Sequence, residues 1–454
     1  MKTRSLSFCA LAAMSLSASP RASVLPQARS ATASELSGEL NDLGREVYDQ
    51  VVTLRGIEVD DLPTLRAASR MKLQKAYART IYRGSSAERA RFQAMLRSMG
   101  FVPPRLQVLA KATDLLEKQG ASVFDSGTKT IWFNASVDRY GDFAKRLMIA
   151  REWVHVIDEA SFRVSKLRAK ATTLDQRFVL LAICEGSATG MAQQWAVAHR
   201  KGRSMAELLA VRKFEDTRNR RCFEAPLVFS MRMAAELMGT RFLTKGEGST
   251  SLLPDIPSGV TRNVEAAFHA LPRSSEQVLH PRKYWESADR DEPVVLANGA
   301  ELTRAIEATL GGKVVHQDTL GEFYCGVLAQ PTIRRVRPEA MRRLVGRPIY
   351  WSKPASQGWG GDRVYITDAG GKPGIVWATW WDTAQDAREF RTAYTRARGR
   401  RAHFAASDEQ RLVVFAYGSA KDKVEALKKL IASKADTRKG RQPFAHIEAA
   451  GSPR

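Results

Sequence analysis

Two long helical stretches follow one another in the middle of the chain, and they limit the fold more than any other feature. The first runs from about Asp142 to Ala160. The second, from about Thr173 to His199, carries Leu180, Leu181, Ile183, Ala188, Met191 and Trp195. Apolar side chains at helical spacing require a packing partner. Glu185 lies among them, and a carboxylate buried there needs a partner of its own. Gly186, Ser187 and Ala188 beside it allow a second helix to approach closely.

The remaining segments arrange themselves around this pair. Residues 35–100 read as an N-terminal helical region. Leu40, Leu43, Val47, Val51 and Leu54, then Leu73, Ala76 and Ile81, recur at helical spacing, with a break at Gly56 and Pro63. A further helix begins near Ser85, with Ser86 as cap and Glu88 in its first turn, and stops near Gly100. Ala121–Phe124 and Thr130–Phe133 flank the turn Asp125-Ser-Gly127 and read as a β-hairpin. Prolines at 254, 257, 272, 281 and 293 mark an irregular stretch after Gly248. From about Leu302 helix and strand patterns alternate, with strands at 363–366, 374–379 and 411–416 and helices at 383–393 and 420–433. The fold class is therefore α+β. Residues 101–290 form a mainly helical core with a short hairpin, 300–433 a small C-terminal domain with an antiparallel sheet, and 434–454 a disordered basic tail.

Charge and termini bound the partners. The 454 residues contain 71 Lys and Arg against 48 Asp and Glu, a formal charge of +23. That excess favours polyanions such as anionic envelope polymers. No zinc finger, RNA-binding signature or other specific nucleic-acid module occurs. Lys2 and Arg4 precede an apolar run from Leu6 to about Ala18, followed by small residues. This order reads as a signal peptide over residues 1–25 and implies a secreted or periplasmic protein; the run is too short to span a bilayer, and the chain is not transmembrane. Cys184, Cys222 and Cys325 then remain, and an oxidising compartment permits one disulfide without specifying the pair.

The chemistry centres on Arg151-Glu-Trp-Val-His155 in the first helix. In H-E-x-x-H two histidines share one helical face and ligate zinc, while the glutamate acts as general base to the bound water. Here the spacing, Glu152 and His155 are present, and arginine stands at the first ligand position. Thirty positions after His155, Glu185 stands where a second helix could deliver a third ligand.

With these residues the chain resembles the secreted bacterial H-E-x-x-H proteins related to gluzincin (peptidase MA-like) metallopeptidases. Further similar segments are Val52–Ile57, Leu96–Phe101, Phe124–Trp132, Ser275–Tyr284, Thr319–Phe323, Gly358–Asp362 and Trp381–Ala387, so the resemblance extends over roughly Leu43 to Ser433. It implies a zincin-like core in which Glu152 occupies the general-base position and His155 and Glu185 the second and third metal-ligand positions. Asp158 stands where relatives carry an acid supporting the ligands.

Arg151 departs from that pattern. A guanidinium has donors only and stays charged, so it cannot replace imidazole. The expectation is a pseudopeptidase with no cofactor, in which Arg151 lies where zinc would lie and pairs with Glu185 or Glu152. The cleft would then receive a peptide or protein ligand. One alternative is an active zinc peptidase recruiting a substitute ligand, Asp158 or a residue of Ser275–Tyr284. Another is a basic envelope-binding protein. His280 reads as a loop-fixing residue, and Trp359, Trp377, Trp380 and Trp381 read as core.

Overall fold

The computed structural model describes residues 33–81, 86–119, 122–211, 226–246, 260–330, 354–399 and 402–439. The proposed signal peptide, Cys222 and most of the basic tail lie outside them. The chain is α+β, as its patterning indicates.

The N-terminal region begins with α1 (Ala33–Arg55), whose Leu40, Val47 and Val51 are fully buried. A strand follows where helix was expected: β1 (Thr64–Ala68) lies parallel to β3 (Thr130–Asn134), which pairs antiparallel with β2 (Ser122–Asp125) in the order β1-β3-β2. Helix α1 has already ended at Arg55, where Gly56 turns left-handed at φ 72°, and the strand forms against β3. The Asn41 side chain of α1 also bonds both backbone groups of Leu65, at 3.0 and 2.7 Å, holding the edge that β3 leaves open. Then come α2 (Arg70–Ile81), α3 (Ser86–Ser98) and α4 (Val108–Gln119). The hairpin β2–β3 lies where the sequence placed it.

The central pair is α5 (Asp142–Phe162) and, after the short α6 (Val164–Lys170), α7 (Leu174–His199). Both are buried nearly all round, and Trp153 of α5 donates to the Gly44 carbonyl of α1 at 2.9 Å. Behind them pack α8 (Pro226–Leu243) and α9 (Val260–His269), so the stretch expected to be irregular is helical from Val260. Short helices α10 (Ser275–Leu279) and α11 (Arg282–Trp285) lead to β4 (Val294–Leu296).

The C-terminal part is built from α12 (Gly299–Leu310), β5 (Lys313–Asp318), α13 (Gly321–Leu328), β6 (Trp359–Ala369), β7 (Lys372–Trp381), α14 (Ala384–Arg398), β8 (His403–Ser407), β9 (Leu412–Gly418) and α15 (Val424–Lys434). Its strands form one antiparallel sheet, β5-β6-β7-β9-β8. Alternation sorts the two faces. Val376, Ala378, Val414 and Ala416 face a cluster with α12 and α15, whereas Ile375, Trp377, Val413 and Phe415 join the cluster that continues into the helical body. The segment after Lys434 was expected to be disordered. Its first part instead forms β10 (Thr437–Lys439), antiparallel to β4, because β4 offers an edge for it to pair with.

The sheet domain also supplies the start of α7. Asp318 of β5 accepts from the Leu174 N–H at 2.7 Å and the Asp175 N–H bonds the Thr319 carbonyl at 3.0 Å, while Thr173 and Gln176 form a capping box. Free N–H groups at a helix start need such acceptors. The helix bearing Glu185 is thus anchored by residues more than a hundred positions downstream.

Candidate functional site

The site is set by how closely α7 and α8 approach. Gly186 faces Gly239 directly: a Cβ on Gly186 would lie 2.7 Å from the Gly239 Cα, closer than any side chain tolerates. The sequence marked Gly186 for such a contact. Its partner Gly239 sits in α8, and this brings Arg232 and Glu236 of that helix up to Glu185.

Around this contact the charged side chains form a lattice. The Arg151 guanidinium pairs with Glu185, with Glu152 at 3.3 Å and with Glu236 at 3.6 Å. Arg232 closes the other side through Glu236 at 3.1 Å. Arg151, Glu185, Arg232 and Glu236 each keep 12–14% of their side-chain exposure, so the lattice is mostly buried and solvent reaches only its outer edge. Glu152 lies deeper, at 1%, where it also accepts from the Ser122 hydroxyl of β2 at 2.8 Å.

The electrostatics follow from this arrangement. Burial alone would raise the Glu185 carboxyl, but Arg151, and after it Arg232, hold it well below the usual carboxylate range. Burial likewise opposes the charge on Arg151, and Glu185 and Glu236 outweigh it. His155 is pushed down to about 4, first by burial and then by the Arg151 charge, so it is neutral at pH 7.

The residues singled out in the sequence therefore divide. Arg151, Glu152 and Glu185 come together in direct contact, and His155 feels the charge of all three. Asp158 bonds elsewhere: it faces the fully buried Arg55 of α1 at 3.5 Å, and burial, partly offset by Arg55, lifts its carboxyl to about 6. In the 275–284 segment, His280 Nε2 binds both oxygens of the buried Glu322, at 2.9 and 3.1 Å, which is the fixing role expected of it. Glu276 pairs with Lys283 at 2.6 Å. The four tryptophans are core, and Trp359 and Trp377 donate to Asp362 at 3.1 Å each. Cys184 and Cys325 are buried thiols without a disulfide, and burial raises the Cys184 thiol to about 12.

The residues present do not fit a zinc ion. Zinc requires three or four N, O or S donors converging on one point. Around Arg151 the carboxylates converge instead on a permanently charged guanidinium. Among the described residues one acidic trio could hold a metal, Glu276, Asp291 and Asp382, and the Lys283 ammonium lies among them at 2.6, 3.0 and 3.6 Å.

Sequence reasoning missed Arg232, Glu236, Ser122 and Arg55. Arg232 and Glu236 stand four apart, a spacing that reads as an ordinary solvated helix pair.

Comparison with known proteins adds one match. Residues 308–428 match a family model described as a domain of unknown function (DUF8575). This segment runs from the end of α12 into α15 and does not include the Arg151 cluster. No curated protein and no solved structure is similar to the chain at a significant level.

Proposed function

We propose that the chain is a secreted, gluzincin-like scaffold that binds a ligand at the Arg151 cluster and does not hydrolyse peptides. The observation that carries this reading is the Arg151 guanidinium, bonded to Glu185 and Glu152 where the related motif would place a zinc ligand. A positive charge balances the buried carboxylates in either arrangement, but only the metal activates water. The ligand class that the resemblance suggests is a peptide or protein segment. The partly exposed arginine–glutamate cluster offers it donors and acceptors alike. A secreted or periplasmic location rests on the Lys2–Ala18 pattern alone.

The reading with a substitute zinc ligand gains nothing from Asp158, which is engaged by Arg55, or from His280 and Glu276, which are engaged by Glu322 and Lys283. Binding to anionic polymers has one supporting feature, a ridge of exposed Arg163, Lys166, Arg168 and Lys170 at α6. Loss of such binding at high salt would identify it.

The test of the main reading is Arg151→His. The variant should gain chelator-sensitive zinc that the unaltered protein does not hold. Equal zinc in both proteins would overturn the reading.

A further inference from the structure

The edge strand beside the cluster is covered by the chain itself. In the sheet order β1-β3-β2, β2 lies at the edge and Ser122 is its first residue. The Ser122 hydroxyl binds Glu152, and its carbonyl accepts the Tyr77 hydroxyl of α2 at 2.8 Å. Tyr77 itself is buried. Thus α2 closes the side of the site that β2 borders.

Helix α2 packs along α4 and on the strands β1–β3, and among the described residues its apolar contacts are separate from the main core. Its Leu73, Ala76 and Tyr77 pack with Ala68, Val123 and Trp132 in a cluster of their own, distinct from the large core that contains α5 and α7. The helix is poorly supported from within. Its sequence RMKLQKAYARTI has no acidic residue, and Arg70 and Lys72 stand at the start, where the helix dipole favours negative charge. Arg70 finds Asp114 of α4 at 2.8 Å, and Lys72 stacks over Trp132 at 5.1 Å. The strand before it is fixed independently by β3 and Asn41. Nothing in these contacts requires the main core to open when α2 leaves.

We infer that α2 is a strap, held to β2 by the Tyr77–Ser122 hydrogen bond and a satellite apolar cluster, that releases while α5 and α7 stay folded and so opens the flank of the Arg151 cluster. The inference rests on the proposed site, but its test does not involve zinc. Elements whose apolar contacts lie outside the main core can open locally, below the cost of global unfolding. Hydrogen exchange read by mass spectrometry on the full-length protein should show amides of residues 71–81 exchanging at least about tenfold faster than those of α5 and α7. Tyr77→Phe should accelerate α2 several-fold more and leave α5 and α7 unchanged. Exchange of α2 at the rate of α5 and α7 in the unaltered protein would overturn the inference. So would a Tyr77→Phe effect that spreads equally to α5 and α7. Zinc content is unaffected by either outcome, so failure of the strap and failure of the pseudopeptidase reading are separable.

Discussion

Arg151 neutralises carboxylates that little solvent reaches, so its side chain supports the fold independently of any ligand. Arg151→Met leaves Glu185 and Glu152 facing an apolar group. Removing one member of a buried pair costs about 3–5 kcal/mol, and the residual exposure here lowers the expectation to roughly 2–4 kcal/mol by denaturant unfolding. Glu185→Gln added to Arg151→Met should recover part of that loss, since one of the two stranded charges is gone. Asp175 offers a pH test. Burial, outweighing the bonds from Ser275, pushes its carboxyl up from the usual 3.8 to about 8, and its Oδ2 has no partner. The folded chain therefore holds a proton that the unfolded chain releases above about pH 4. The stabilisation is complete below that point and is lost as pH rises to about 8. Asp158 and Asp362, each lifted to about 6 chiefly by burial, act in the same direction over a narrower window. Asp175→Asn keeps an acceptor for the Ser275 N–H and should flatten the fall in unfolding free energy between pH 4 and 8. An unchanged slope would count against a protonated Asp175.

At the scale of elements the contact between α7 and α8 decides the site. Gly239→Ala would drive a methyl group into the Ala182 carbonyl and the facing Gly186. Overpacking of this kind costs about 1–3 kcal/mol. The shift should also separate Arg232 and Glu236 from Glu185, so the Glu185 carboxyl should titrate higher by NMR than in the unaltered protein. Half of this contact was legible in the sequence, because Gly186 follows the buried glutamate directly. Its other half was not, because Gly239 lies fifty-three positions on and shares no local pattern with it. The long helices and the β2–β3 hairpin were legible for the opposite reason: their periodicity and turn residues are local. Strand β1 was hidden because its five residues owe their conformation to Asn41 and β3 rather than to alternation of their own.

For the whole molecule, the sheet domain and the helical body behave as one unit. Gly321, at φ 77°, touches the Asp175 carboxylate, and Asp362 collects the N–H groups of Leu320 and Gly321 at 2.9 and 2.8 Å. Phe178 stacks on Phe323 at 4.1 Å, and Arg398 of α14 donates to the Gly100 carbonyl at 2.9 Å. The segments 275–284, 319–323 and 358–362, legible in the sequence only as an ordered series of similarities, meet at this seam, as in the Phe323 N–H to Ser275 Oγ bond of 3.2 Å. Their convergence could not be read in advance because each contact joins residues about forty or more positions apart. An excised 299–439 fragment would expose Trp377 and Phe415 on its body-facing side, and it should aggregate or melt without a cooperative transition, whereas the full chain should unfold in one.

The central claim, that an arginine has taken the place of a metal, is tested most directly by titrating zinc into the metal-stripped, unaltered protein and following heat and bound metal together. No saturable site should appear at Arg151, and the Glu185 resonance should not move. One chelator-sensitive zinc per chain, bound with perturbation of His155 and Glu185, would contradict it.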